Sequence, residues 1–177
     1  MVIWKITAIE LLERYAAGER NFNGIELIRD PQRNIYDGSG EIHGLEGADL
    51  RGISLRGSNL RDVILTDADL SEADLFGACL FCATLVNTVL KGANLYSVSL
   101  VQAGCGGANF DGADLTLVDA TNTLFINTTI NYFSNSVLVC ANFKGSSIFK
   151  SALCGIHTGN FCWHTTMPDG TICDISE

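Results

Sequence analysis

Basic residues are scarce and long apolar runs are missing. Eleven Lys and Arg stand against twenty Asp and Glu, a formal charge of −9 with a pI near 4.6. That balance makes attraction to nucleic-acid phosphates unfavourable and argues against direct nucleic-acid binding; a basic or membrane-adsorbed partner suits it better. No run of about 18 apolar residues is available to span a bilayer, and Met1 to Ile6 lacks the basic region and small-residue cleavage site of a signal peptide. The expectation is a cytoplasmic protein without a membrane partner. Histidine is limited to His43, His157 and His164, and neither a Gly-rich phosphate loop nor a metalloprotease helix motif occurs. The chain therefore reads as non-enzymatic, with no cofactor. The seven cysteines, at 79, 82, 105, 140, 154, 162 and 173, are odd in number and form no compact framework, which suits reduced thiols in a reducing compartment.

What is present is a five-residue period within a single unit of 177 residues, 47% of them apolar, enough for one continuous core. Every fifth residue from Leu45 to Leu100 is Leu, and the series continues through Cys105, Phe110, Leu115, Ala120, Phe125 and Ile130. Two residues earlier the series His43, Ala48, Ile53, Ser58, Val63, Ala68, Ala73 and onward to Thr128 is mostly Ala, with Val, Thr and Ser as substitutes, so a small side chain is wanted there. The remaining positions are mainly polar, charged or Gly. The order in, out, in, out, out is strand alternation reset by a corner at each repeat. Such a chain can close into coils whose neighbours stack about 4.8 Å apart, with stability accumulating coil by coil.

Gly47-Ala48-Asp49-Leu50-Arg51, Asp67-Ala68-Asp69-Leu70-Ser71, Gly92-Ala93-Asn94-Leu95-Tyr96 and Gly112-Ala113-Asp114-Leu115-Thr116 resemble the A(D/N)LXX signature of the pentapeptide-repeat family, over roughly residues 43 to 161. The resemblance implies an all-β solenoid, a right-handed quadrilateral β-helix of four pentads per coil with a short N-terminal capping helix. About six coils and a recurrence of twenty residues on each face follow from it. The segment from Glu10 to Phe22 and the string Met167-Pro168-Asp169-Gly170-Thr171-Ile172 are similar to the two ends of cyanobacterial members.

Residues 1–20 are expected to hold the cap helix, 21–42 the first repeats and a protruding loop, 43–161 the repeat coils, and 162–177 the C-terminal tail and cap. Thr7-Ala8-Ile9-Glu10 has capping-box spacing, Ile6 and Leu11 suit a hydrophobic staple, and Gly18 supplies a stop, so a helix is predicted over residues 8 to 17. Phe22 and Leu27 start the first coil. Residues 28 to 41 break the period with Pro, Gly and Asn and read as the loop. The register slips after Ile130, because the next series is Phe133, Leu138, Phe143, Ile148 and Leu153. Gly159-Asn160-Phe161 fits the motif again, in a frame where Ile156 is the preceding centre, which implies a second slip near Cys154, and Trp163 reads as a lid.

Three constellations carry possible function. The outward position after each central residue is unusually apolar at Phe76, Phe81, Tyr96 and Val101, where the twenty-residue recurrence stacks Phe76 with Tyr96 and Phe81 with Val101. These four are the candidate interface of a scaffold that binds a protein partner of unknown identity, a homodimer being one form. Asp49 with Asp69, and Asp74 with Asp114, are spaced by multiples of twenty and make a candidate acidic face. Family members that imitate the DNA duplex use such a face on DNA gyrase, which makes gyrase binding the alternative. The chain has no apolar helical repeat like the C-terminal dimerisation helix of those members. A second alternative is zinc held by Cys154, His157, Cys162, His164 and Cys173, although their spacing matches no common zinc class. Cys79-Leu80-Phe81-Cys82 has CxxC form without the strand-to-helix setting of a redox motif.

Overall fold

The computed structural model describes residues 4–31, 40–155 and 157–174. Most of the expected loop, residues 32–39, and the expected centre Ile156 lie outside the described residues. At the N-terminal end, strand β1 (Trp4–Thr7) runs into helix α1 (Ala8–Ala16), and strand β2 (Ile25–Ile28) pairs parallel with β1 from Trp4 opposite Ile25 to Thr7 opposite Ile28. The helix begins where the sequence places it. Thr7 is extended and its Oγ1 accepts the Glu10 N–H at 3.2 Å, which satisfies one of the orphan donors of the first turn. Ile6 and Leu11, the staple pair, are both buried, and Gly18 beyond the last turn takes φ +100°. Helix α2 (Lys150–Cys154) and an antiparallel pair, β3 (Thr165–Thr166) with β4 (Ile172–Cys173), stand near the C-terminal end.

The expectation of an all-β right-handed quadrilateral β-helix is corrected here. Among the described residues the regular elements are two helices and four strands, in two separate two-stranded sheets with open edges. The repeats contribute single-residue parallel bridges in place of strands, such as Asp49 to Asp69, Ser54 to Asp74 and Asn59 to Cys79. The physical reason lies in the pentad itself. After each central residue a turn closes, as when the Ala68 N–H donates to the Leu65 carbonyl at 3.0 Å. The residue two places past the centre takes φ between +55° and +71° from Gly47 to Asn127, the conformation demanded at the third position of a type II turn. Too few extended residues are left between turns for a strand.

Twenty-residue spacing governs the bridges from Asp49 to Thr129. Their backbone hydrogen bonds alternate in direction, the Leu50 N–H donating to the Asp69 carbonyl at 2.8 Å and the Asp69 N–H to the Ala48 carbonyl at 2.9 Å. Side chains twenty apart therefore line up in columns. The central Leu series and the small-residue series point inward and form one core, with Leu70, Leu75, Ala68 and Ala73 fully buried. Each such Leu contributes on the order of 1.5–3 kcal/mol. Where the series thins to Cys105 and Ala120, four phenylalanines fill the space. Phe125 stacks on Phe143 at 4.8 Å, and Phe110 and Phe133 meet Phe125 edge-on at 5.9 and 5.5 Å.

The slip after Ile130 is real and has a definite form. Asp119 bridges Val137 and Leu124 bridges Asn142, both eighteen apart, so Phe133, Leu138, Phe143 and Ile148 stay inward. The next step lengthens to twenty-four, with Val137 bridging Phe161 and Asn142 bridging Thr166. This places Cys162 and Met167 inward, while Phe161 and Trp163 are exposed at 44% and 48%. The frame with Phe161 as a centre and Trp163 as a lid is thus off by one residue. At the other end the buried Phe22 and Leu27 join the repeats across a 33-residue step, Asn21 bridging Ser54 and Glu26 bridging Asn59.

Candidate functional site

The position after each central residue faces outward, and Arg56, Phe76 and Tyr96 occupy one such column. The Phe76 and Tyr96 rings lie parallel within 2° with centroids 5.5 Å apart, and the Arg56 guanidinium sits 4.4 Å above the Phe76 centroid. Polar contacts set these side chains in place. The Asp74 carboxylate accepts from Arg56 Nη1 at 2.8 Å, from the Phe76 N–H at 3.2 Å and from Asn94 Nδ2 at 3.0 Å, and Asn94 Oδ1 accepts the Tyr96 N–H at 3.2 Å. One carboxylate thereby holds the cation over the ring and fixes the backbone beneath it. In the adjoining column the Arg61 guanidinium lies 4.2 Å from the Phe81 centroid, with the half-buried Val101 next in line. Phe76 is 37% exposed. The result is an aromatic and cationic surface built on rigid backbone, a kind of composition enriched at protein interfaces.

The four acidic candidates are arranged differently. Asp49 bridges Asp69, and Asp74 and Asp114 share a column with Asn94 between them. Their oxygens close the turns of their own repeats: Asp69 accepts the Ser71 N–H at 2.9 Å and Asp114 the Thr116 N–H at 3.0 Å. Asparagines at the same repeat position do the same, as Asn109 does for the Asp111 N–H at 2.9 Å. Where the position carries an acceptor, Asp and Asn serve this turn alike, although Ile64, Val89, Gly104 and Leu124 fill it without one. Three of the four carboxylates are also paired with cations, Asp69 standing 3.8 Å from Arg51 Nε. Arg51 donates twice to Asp49, at 2.8 and 2.6 Å, and this pairing holds the Asp49 carboxyl down at about 2. Asp74 carries Arg56.

At the C-terminal end Cys173 Sγ donates to Cys154 Sγ at 3.3 Å, and Cys162 Sγ donates to the Leu153 carbonyl at 3.6 Å. Burial and the hydrogen bond with Cys162 push the Cys154 thiol up, the hydrogen bond being the larger cause. His164 lies apart from these thiols in its contacts, its Nδ1 3.1 Å from Asp174, and His157 is exposed. Among the described residues no group of three or more His, Cys, Asp or Glu is placed to hold a metal ion. Cys79 and Cys82 are half-buried, and Cys82 Sγ donates to Gln102 Oε1 at 3.4 Å.

Sequence reasoning missed a second exposed apolar group. Val137, Phe161 and Trp163 share one side of the C-terminal end, because the Leu138 N–H bonds to the Phe161 carbonyl and the Cys140 N–H to the Trp163 carbonyl. Centring the last repeat on Cys162 would have revealed it.

Residues 45–80 match the family described as pentapeptide repeats, in eight copies. The match covers the repeats of that stretch, about a fifth of the chain. Among solved structures, this chain is similar to a pentapeptide-repeat protein of the Arabidopsis thaliana thylakoid lumen, 28% identical, covering 62% of this chain and 72% of that one with a TM-score of 0.33. It is similar to the protein Rfr23 of the cyanobacterium Cyanothece 51142, 19% identical, with 86% and 97% covered and a TM-score of 0.44. It is also similar to HetL of Nostoc sp. strain PCC 7120, a protein involved in regulating heterocyst differentiation, 23% identical, with 95% and 100% covered and a TM-score of 0.30. No curated protein matches. No helix among the described residues is long and apolar enough to cross a membrane.

Proposed function

We propose that this chain is a non-enzymatic, cytoplasmic scaffold that binds a protein partner through the adjoining columns Arg56, Phe76, Tyr96 and Arg61, Phe81, Val101. The observation that carries the reading is the parallel Phe76–Tyr96 stack, capped by Arg56, with Phe76 exposed and Tyr96 half-buried. Exposed aromatics and arginines are the side chains most often responsible for binding energy, and a preset surface loses little entropy when a partner docks. The core draws its stability from other residues, so the surface is free to serve recognition. The acidic positions support this reading over duplex mimicry, since Asp49 and Asp74 are paired with arginines and the position is filled by Asn as readily as by Asp.

The test is a double substitution, Phe76→Ser with Tyr96→Ser, compared with the unchanged chain in pull-down from cytoplasmic extract and in sedimentation across a concentration series. Loss of a recovered partner, or of self-association, with the melting transition retained is the expected result. A partner that binds the double variant unchanged would refute the assignment of this face.

A further inference from the structure

We propose that Cys154 and Cys173 are a reversible oxidation site, closing to a disulfide that fastens the C-terminal hairpin to α2 when a hydroperoxide acts on the reduced pair. The two sulfurs are 3.3 Å apart, and a disulfide needs about 2.05 Å, a gap that small side-chain rotations can close. Each backbone is anchored by contacts of its own. Cys154 ends α2, whose Leu153 carbonyl accepts from Asn160 Nδ2 at 2.9 Å and from Cys162 Sγ at 3.6 Å, while the Gly155 carbonyl accepts from Thr158 Oγ1 at 2.8 Å. Cys173 lies in β4, paired with β3, whose Thr165 Oγ1 donates to the Leu138 carbonyl at 2.6 Å. The geometry thus joins two elements that only non-covalent contacts connect in the reduced form. Access is one-sided, because Cys173 is buried whereas Cys154 is half-exposed.

The half-exposed thiol is therefore the one an oxidant reaches. The Cys154 thiolate attacks the peroxide oxygen, the O–O bond breaks, and the departing oxygen takes a proton to leave as water or an alcohol. The Cys173 thiolate then attacks the sulfenic sulfur, the S–S bond forms, the S–O bond breaks, and hydroxide leaves as water with the proton lost by Cys173. Two thiols and one hydroperoxide give one disulfide, one water and one alcohol or second water, the two electrons passing from sulfur to peroxide. A dithiol returns the pair by exchange. The raised position of the Cys154 thiol makes the first step slow at neutral pH, so the site responds to sustained oxidant and not to traces.

Hydrogen peroxide on the intact full-length chain, followed by thiol blocking and chymotryptic mapping, decides the matter, since cleavage after Phe161 and Trp163 separates Cys154, Cys162 and Cys173. The expected product is a cross-linked pair of peptides joining Cys154 to Cys173, lacking two hydrogens and released by dithiothreitol, with the melting transition raised by several degrees. Cys162→Ser should retain the link and Cys173→Ser should abolish it. Recovery of Cys154 as an uncrosslinked sulfenic or sulfinic acid, or joined mainly to Cys162, would overturn the proposal from the map of the unsubstituted chain alone.

Discussion

Leu75 and Phe76 are sequence neighbours with opposite duties, and comparing their truncation measures how the fold divides its labour. Leu75 is fully buried in the inward series, so Leu75→Ala removes its transfer energy and leaves a cavity flanked by neighbours bonded to the next column. The expected cost is about 2–5 kcal/mol. At 2–4 °C per kcal/mol for a chain of this size, the melting temperature should fall by roughly 4–20 °C. Phe76→Ala loses the Tyr96 stack, about 0.5–1.5 kcal/mol, and the exposed Arg56 contact, about 0.5–1 kcal/mol, roughly 1–2.5 kcal/mol together. Aspartate should widen the difference, because at 75 it would bury an unpaired carboxylate and at 76 it would face water. Thermal and urea denaturation of the four variants, with a Phe76/Tyr96 double-mutant cycle to isolate the stack, gives the comparison. Equal losses at the two positions would show that the inward and outward assignments are wrong.

Two further outcomes follow from the turns and the charges. Leu117 takes φ +57° while 45% exposed, a conformation that costs a non-glycine residue about 1–2 kcal/mol, against about 0.5–1 kcal/mol of added unfolded-chain entropy for Gly. Leu117→Gly should therefore be neutral or stabilising by up to about 1.5 kcal/mol in urea unfolding, and a clear loss of stability would refute the strain argument. The Asp49 carboxyl is held at about 2 in the fold against an ordinary 3.8, so its small stabilising share is present above the ordinary value and lost as pH falls from about 4 through about 2. Carbon-detected NMR titration should show that low midpoint, and Arg51→Gln should move it back toward the ordinary value; an unmoved midpoint would remove Arg51 as the cause.

The ladder between Leu45 and Ile130 was legible because one chemical requirement repeats at one spacing, and burial there depends on that requirement alone. The cap of α1 was legible for a similar reason, since Thr7 and Glu10 are close in sequence and make their contact locally. The implied closed section and handedness were not in the residues, and the regular elements found are short and confined to the ends. Past residue 131 counting in fives failed, because Phe161 and Cys162 are both apolar and only the backbone bridge from Val137 decides which one turns inward. The arginine caps escaped notice for another reason. Arg56 and Phe76 belong to different repeats, and the side chain crosses that gap only because Asp74 draws it there.

The change of step from twenty to eighteen to twenty-four residues has a bearing on how such a chain can change its length. Leu115, Ala120, Phe125 and Ile130 each lie eighteen residues before Phe133, Leu138, Phe143 and Ile148, so two residues have dropped out between the sets while every inward side chain kept its place in the core. The adjustment falls at the exposed Asn131 and Tyr132, and the next one, four residues longer than the regular step, takes in α2. Insertions and deletions in this architecture are thus absorbed at a corner and do not propagate. A deletion that would put every later residue of an ordinary strand on the wrong face here alters one bend, and the columns beyond it resume with a new count and the same neighbours.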